Sequence, residues 1–210
     1  MAPPAPDSTV RFTVYSDVLC PWCYNGAVRL RKLKQEYGDR LEITWKSFLL
    51  RPYPETKSFE SFKRYTQSWE RPASQADAGE FRVWSTQEPP PSHSVPPNVA
   101  VKAAAEQDAF ERYHIPLMRA YFYENRNITN ATALIEVARE QGLDVDRFIA
   151  ALRNEAVGKA VARDHAEAVE VGVTGVPCLV LGGVVPIPGA QDLAFYRHLV
   201  DKGLRADRQR

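Results

Sequence analysis

Two cysteines near the start of the chain, Cys20 and Cys23, have the Cys-x-x-Cys spacing of a thiol–disulfide redox pair. They lie between an alternating apolar run at residues 10–15 and a helix-like run at residues 25–33, so a strand leads into a helix through the pair. A thiol at a helix N-terminus faces unpaired backbone N–H groups and the positive end of the helix dipole, and both stabilise a thiolate. This placement predicts that Cys20 is the nucleophile and that Cys23 is close enough to attack a mixed disulfide formed there.

A Cys-x-x-Cys pair can also be half of a zinc site, which would need two further ligands at suitable spacing. The chain offers only Cys178 and four scattered histidines, with no Cys-x-x-His or His-x-x-x-His pairing. The local context therefore favours redox chemistry, and we expect no metal site.

The composition excludes several classes of partner. The 210 residues include 27 basic and 26 acidic side chains, and the net charge of +1 gives no electrostatic case for nucleic acid or an anionic membrane. Three cysteines are too few for a secreted disulfide scaffold. The N-terminal segment lacks the features of a secretory signal, and no window approaches the roughly 18 apolar residues of a membrane helix. We therefore expect a cytoplasmic protein.

Strand and helix patterns alternate at both ends of the chain, which predicts an α/β fold with helices on both faces of a sheet. Strands are predicted at residues 10–16 and 41–46, and from Cys178 to Leu181 before a hairpin signal at Gly182-Gly183. Final helices are predicted at residues 155–171 and 190–200, followed by a frayed tail from Asp201.

The middle of the chain has no confident strand and is predicted to be a helical insertion, because sheet elements lie on both sides of it. Its helix patterns fall at residues 98–113, 116–124, 129–141 and 145–153. A proline-rich stretch at residues 72–97 is either a surface loop or a cover over the site. The predicted organisation is a disordered tail at 1–9, a core formed by 10–57 and 154–202, and the insertion at 58–153.

Two motifs at opposite ends of the chain match a known family. The first is Ser-Asp-Val-Leu-Cys-Pro-Trp-Cys-Tyr-Asn-Gly at residues 16–26, and the second is Gly-Val-Thr-Gly-Val-Pro at residues 172–177, followed by Gly-Ala-Gln at 189–191. In this order and spacing they resemble the DsbA family of thioredoxin-like oxidoreductases, and its FrnE-like branch in particular. The resemblance spans most of residues 10–200. It implies a thioredoxin-like fold with a large helical insertion between the second strand and the penultimate helix.

The resemblance also implies roles for particular residues. Cys20 would be the attacking thiolate, Cys23 the resolving thiol, and Val176-Pro177 a cis-proline peptide that faces the pair and offers its backbone to a substrate. Trp22, between the two thiols, is expected to be partly exposed and to give a substrate an apolar contact. No tightly bound cofactor is expected, and glutathione is a candidate thiol co-substrate.

Two further residues allow alternative interpretations. Asp17 either exchanges a proton with Cys23 or orients the turn, and the second role is favoured. Cys178 follows Pro177, where a non-thiol residue is more familiar, and points either toward the site as a third redox participant or into the core. The core position is favoured, since Cys is among the most often buried residues.

Three functions are compatible with this sequence. The first is a protein thiol–disulfide oxidoreductase, working as a reductase or isomerase on substrate proteins or on small thiols and disulfides. The second is a glutathione-dependent transferase or isomerase acting on a small molecule. Superfamily members of that kind carry serine at the first position, whereas this chain keeps both thiols. The third is a partner-binding protein with a relic core. The oligomeric state stays open.

Overall fold

A computed structural model gives the structure of residues 9–182 and 185–207, and a four-stranded sheet organises it. In sheet order the strands are β2, β1, β3 and β4, which span Leu41–Ser47, Val10–Ser16, Cys178–Leu181 and Val185–Pro188. β1 and β2 are parallel, while β3 is antiparallel to both β1 and β4. The predicted α/β fold is confirmed. Of the predicted tail and hairpin, residues 1–8, Gly183 and Val184 lie outside the described residues.

The two faces of the sheet have different coverings. On one face, Val10, Phe12 and Val14 of β1 pack with apolar residues of α1 (Pro21–Tyr37) and α9 (Leu193–Asp207). On the other face, Tyr15 packs with Ala168 of α8 (Glu155–Glu170). Successive side chains of a strand point to opposite faces, so β1 contributes to both cores.

Six helices lie between β2 and α8, as the predicted fold class requires. They are α2 (Phe59–Thr66), α3 (Glu70–Ala73), α4 (Val95–Ala105), α5 (Phe110–Phe122), α6 (Ala131–Glu140) and α7 (Val145–Leu152), with 3₁₀ turns at Gly38–Arg40, before β2, and Gln67–Trp69. Trp69 lies at the centre of their aromatic core, with ring centroids 5.3 Å from Tyr121 and 4.9 Å from Phe122. The boundaries assigned to the core and the insertion stay a prediction.

Two helix boundaries differ from those predicted. The segment predicted as one helix at 98–113 is divided between α4 and α5, because Asp108 adopts a positive φ of 54° and turns the chain. α5 then continues through Pro116, which was predicted to begin a helix. Tyr113 and Leu117, before and after this proline, are both fully buried, so packing offsets the hydrogen bond that proline removes.

The last helix was predicted too short. α9 runs to Asp207 instead of ending near Val200. Leu204 is 6% exposed and belongs to the same core cluster as Val10, so the segment predicted to fray is held by packing. Across the described residues, no helix combines the length and the apolar character needed to cross a membrane.

Candidate active site

Cys20 is positioned by the start of α1. It is the N-cap residue, with φ −95° and ψ 120°, and Pro21 takes the first helical position, where its missing N–H costs no helix hydrogen bond. The Cys20 N–H donates to the carbonyl of Asp17 at 3.0 Å and closes the turn from β1. The thiol therefore lies at the positive end of a 17-residue helix.

Cys23 lies behind Cys20, one helical turn into α1, and is 1% exposed. Burial raises the pKa of the Cys23 thiol, and the neighbouring Cys20 acts in the same direction. The backbone N–H of Asp17, 3.4 Å from the Cys23 sulfur, opposes this shift. Both cysteines are free thiols. A buried thiol that holds its proton next to a helix-terminal thiol suits the resolving position.

Pro177 packs against the same helix. The peptide bond between Val176 and Pro177 is cis. A Cβ atom on Gly26 of α1 would lie 3.5 Å from the Pro177 ring, so the ring sits one turn beyond Cys23. The Cys20 thiol donates to the Val176 carbonyl at 3.5 Å. The two ends of the chain therefore meet at the dithiol.

Trp22 and Cys178 take different positions relative to this dithiol. Trp22 is half-buried, as expected. Cys178 is 2% exposed and packs with Tyr15 and Val180 on the α8 face of the sheet. Burial raises the pKa of the Cys178 thiol. The structure therefore places Cys178 in the core, apart from the cluster that contains Cys20.

The carboxylate of Asp17 is completely buried and accepts four hydrogen bonds. The donors are Leu19 N at 2.9 Å and Asn98 Nδ2 at 3.2 Å on Oδ1, with Leu50 N at 2.8 Å and Ser94 Oγ at 2.5 Å on Oδ2. Burial raises the pKa of Asp17 and these hydrogen bonds oppose the shift. A carboxylate has about four lone-pair sites, so all of them are occupied. Asp17 thus fastens the redox turn to the segment after β2 and to α4.

Ser94 and Asn98 were not predicted as site residues. They approach Asp17 from a distance of 77 and 81 residues along the chain. The sequence carries only one hint, a serine directly before a Val-Pro-Pro segment, which is a typical helix start. Nothing local indicates that this helix start lies beside the redox turn.

Two buried polar residues of α1 hold the proline-rich stretch and the last loop. The Asn25 side chain donates to Pro72 O at 2.8 Å and accepts from Gly79 N at 2.9 Å. The guanidinium of Arg29, which is 2% exposed, donates to Ala76 O at 2.7 and 3.2 Å. It also donates to the carbonyls of residues 190 and 191. The first part of the proline-rich stretch is therefore packed on the active-site helix.

No group of His, Cys, Asp and Glu side chains in the described part of the chain is arranged to hold a metal ion.

A mixed four-stranded sheet that carries a Cys-x-x-Cys pair at a helix start, opposite a cis-proline, defines a thioredoxin-like protein. A family model, the DSBA-like thioredoxin domain, matches residues 11–201, and the chain belongs to this family of oxidoreductases. Its assignment to the FrnE-like branch stays a prediction.

The chain is similar to several known proteins. YwbO of Bacillus subtilis is 28% identical over 200 residues, which cover 87% of this chain and 91% of YwbO. The ClpXP adapter protein SpxH of Bacillus subtilis is 25% identical over 206 residues, which cover 93% of this chain and 68% of SpxH. The cytosolic disulfide reductase DsbM from Pseudomonas aeruginosa, solved with GSH, shares the fold. Its TM-score is 0.70 at 20% identity, over 95% of this chain and 98% of that chain.

Proposed function

We propose that this protein is a thiol–disulfide reductase or isomerase that works through a Cys20/Cys23 dithiol. The Cys20 thiolate attacks a substrate disulfide and forms a mixed disulfide, which Cys23 then resolves. The observation that carries the proposal is the contrast between the two thiols. Cys20 caps a long helix beside the Val176 carbonyl, while Cys23 is buried with a raised pKa.

The cis peptide gives a substrate a place to bind. Val176 is half-buried and its carbonyl lies next to the Cys20 sulfur, so an extended segment placed there would bring its disulfide within reach. Trp22 is half-buried between the thiols and would contact the apolar part of the same segment.

Glutathione is the proposed thiol co-substrate, and the cytoplasm the proposed compartment. The name of the structural neighbour DsbM, a cytosolic reductase solved with GSH, supports both assignments. A reducing cytosol favours reductase or isomerase work over net oxidation.

A redox titration in glutathione buffers tests the function. Thiols are trapped by alkylation at each ratio of reduced to oxidised glutathione and located by mass spectrometry. The expected result is a reversible Cys20–Cys23 disulfide, with Cys20 alone reacting fast at neutral pH. The Cys23→Ser variant should accumulate a mixed disulfide at Cys20, whereas Cys20→Ser should form none. If neither a couple nor a mixed disulfide forms, the dithiol function is wrong.

A partner-binding role is the second candidate, since the relative SpxH is a ClpXP adapter protein. A purely binding role predicts that Cys20 has ordinary thiol reactivity and forms no couple with Cys23. The same titration therefore separates the two candidates.

A further inference from the structure

Two cationic side chains and a histidine lie on segments that are linked to the redox turn. Arg51 follows the segment that is tied to the redox turn, because the N–H of the preceding residue, Leu50, donates to the Asp17 carboxylate at 2.8 Å. The Arg51 N–H donates to Ser94 Oγ at 3.1 Å, and Ser94 Oγ donates in turn to Asp17. Arg51 is therefore two hydrogen bonds away from the turn that carries the dithiol.

The second cation, Lys57, lies over the ring of Tyr65, with its Nζ 5.7 Å from the ring centroid. Burial raises the pKa of the Tyr65 hydroxyl, the charges of Cys20 and Asp17 act in the same direction, and Arg51 opposes them. Tyr65 therefore stands within electrostatic reach of both the nucleophile and Arg51. It connects Lys57 to the site.

The histidine, His93, comes from the proline-rich stretch. Its Nδ1 shares a hydrogen bond of 2.8 Å with Ser92 Oγ, and the Ser94 N–H next to it donates to the Arg51 carbonyl at 2.7 Å. Burial lowers the pKa of His93, and the charge of Arg51 acts in the same direction. Both effects favour the neutral imidazole, so the proline-rich stretch places an uncharged histidine ring beside Arg51.

Within the part of the chain that the structure describes, no carboxylate forms an ion pair with Arg51, Lys57 or His93. The Arg51 guanidinium donates to a neutral carbonyl, that of Pro91, at 3.2 Å. Burial lowers the pKa of Lys57 and Arg51 lowers it further, with only the exposed Glu55 opposing. Arg51 and Lys57 therefore repel one another, and an anion between them would relieve that repulsion.

We propose that Arg51 and Lys57, here called the basic rim, select small disulfides that carry carboxylates near the scissile bond. The inference rests on the proposed dithiol function and names its substrate class. A small substrate fits better than an acidic protein segment, because Cys20 is only 4% exposed and both rim residues are half-buried.

The reaction is balanced without a further reactant. The Cys20 thiolate attacks one sulfur of R–S–S–R, which forms Cys20–S–S–R and releases RS⁻. Cys23 then loses its proton to solvent and attacks the Cys20 sulfur, which forms the intramolecular disulfide and releases the second RS⁻. The substrate gains two electrons and the dithiol loses two. The rim stabilises the substrate carboxylates and the negative charge of the departing sulfur.

Single-turnover kinetics of the reduced full-length chain test the proposal. Three disulfides of matched length are compared: anionic 3,3′-dithiodipropionate, neutral bis(2-hydroxyethyl) disulfide and cationic cystamine. The measured quantity is the anionic-to-neutral rate ratio, divided by the same ratio for dithiothreitol as the reference thiol. We expect a value above one that falls as salt rises from about 20 mM to about 500 mM, since salt screens partly exposed charges.

Variants locate the preference on the rim. Lys57→Gln should lower the ratio about threefold, which is within the range of partly exposed ion pairs, and Lys57→Glu should lower it further because it reverses the charge. Arg51→Gln, checked for folding by circular dichroism, should act in the same direction. The matched control is Lys63→Gln, an exposed lysine of α2, which should leave the ratio unchanged.

Each outcome bears on one claim. If the normalised anionic-to-neutral rate ratio is the same in the wild type and in Lys57→Glu, the proposed role of the basic rim is wrong, while the dithiol function stands. Failure of every disulfide to oxidise the wild-type dithiol contradicts the proposed function itself. Glutathione disulfide is finally compared with a disulfide-linked peptide rich in Asp and Glu. Faster reaction of glutathione disulfide supports the small-substrate class, and a preference for the peptide overturns it.

Discussion

Replacing Asp17 by alanine should strongly destabilise the fold, because it removes the acceptor of four hydrogen bonds at a completely buried position. Two of the donors are backbone N–H groups, those of Leu19 and Leu50, which cannot turn toward another acceptor. Each buried donor left without a partner costs about 1–3 kcal/mol. The free energy of unfolding should therefore fall by about 2–6 kcal/mol, a large share of the ~5–15 kcal/mol of a typical domain.

Asp17→Asn is the finer test, because the side chain keeps its size and one acceptor oxygen. Each carboxylate oxygen of Asp17 accepts from one backbone N–H and one side chain. In either orientation, the NH₂ group of asparagine replaces one of these oxygens and faces two donors, so about one backbone N–H stays unpaired. We expect a loss of about 1–3 kcal/mol. Urea unfolding of the reduced protein, followed by far-ultraviolet circular dichroism, measures both variants. The exposed Asp146→Asn serves as the matched control and should change stability by less than about 0.5 kcal/mol.

A loss of less than about 0.5 kcal/mol in Asp17→Asn would refute the reasoning from filled acceptor sites.

A second measurement separates the two roles predicted for Asp17. If Asp17 only orients the turn, the pH midpoint of mixed-disulfide resolution should be the same in Asp17→Asn as in the wild type. A shifted midpoint would mean that the carboxylate exchanges a proton with Cys23.

Three further predictions follow from buried groups elsewhere. Because burial raises the pKa of Cys23, the rate of mixed-disulfide resolution should still rise with pH above about 8.5, the ordinary pKa of a thiol. Quenched-flow trapping from about pH 6 to 10 measures this rate. A rate that stops rising below about pH 8.5 contradicts the burial argument. Burial lowers the pKa of His114 from 6.5 to about 3. Above pH 6.5 the imidazole is neutral in both the folded and the unfolded chain, whereas at lower pH only the unfolded chain takes up the proton, so the free energy of unfolding falls as pH falls. Between about pH 7.5 and 5, the wild type should lose about 2 kcal/mol relative to His114→Phe in urea titrations, and a constant difference would exclude a buried neutral imidazole. Gly79→Ala should cost about 1–3 kcal/mol, since its Cβ would lie 2.4 Å from the Tyr24 ring, whereas Gly158→Ala, with open space around it, should be neutral or stabilising in the same titration.

The parts of the fold that follow from local sequence were predictable. The alternating apolar residues of β1 specify a strand within seven residues, and the Cys-Pro-Trp-Cys segment specifies a helix start within four. The family motif added the approach of Val176-Pro177 to the dithiol, which no local pattern indicates. Burial of Cys178 was also favoured from its apolar surroundings, and its position in the core agrees with that interpretation.

The surroundings of the dithiol were not predictable, because they depend on contacts between distant segments. The four donors around Asp17 come from three separate parts of the chain. The continuation of α5 through Pro116 has the same origin, since helix propensity alone predicts a boundary there. Residues whose role is to connect two segments leave little trace in either segment alone.

Ser94 shows how closely these distant contacts link positioning and recognition. Its hydroxyl donates to the Asp17 carboxylate at 2.5 Å and accepts from the Arg51 N–H at 3.1 Å. One side chain of the insertion therefore fixes both the turn that presents Cys20 and the first cation of the basic rim. A hydroxyl bonded to a buried carboxylate cannot move without leaving a polar group unpaired, so the Arg51 backbone is held beside the redox turn. In this chain the helical insertion does more than cover the sheet, because it sets the geometry in which a disulfide would meet the thiolate.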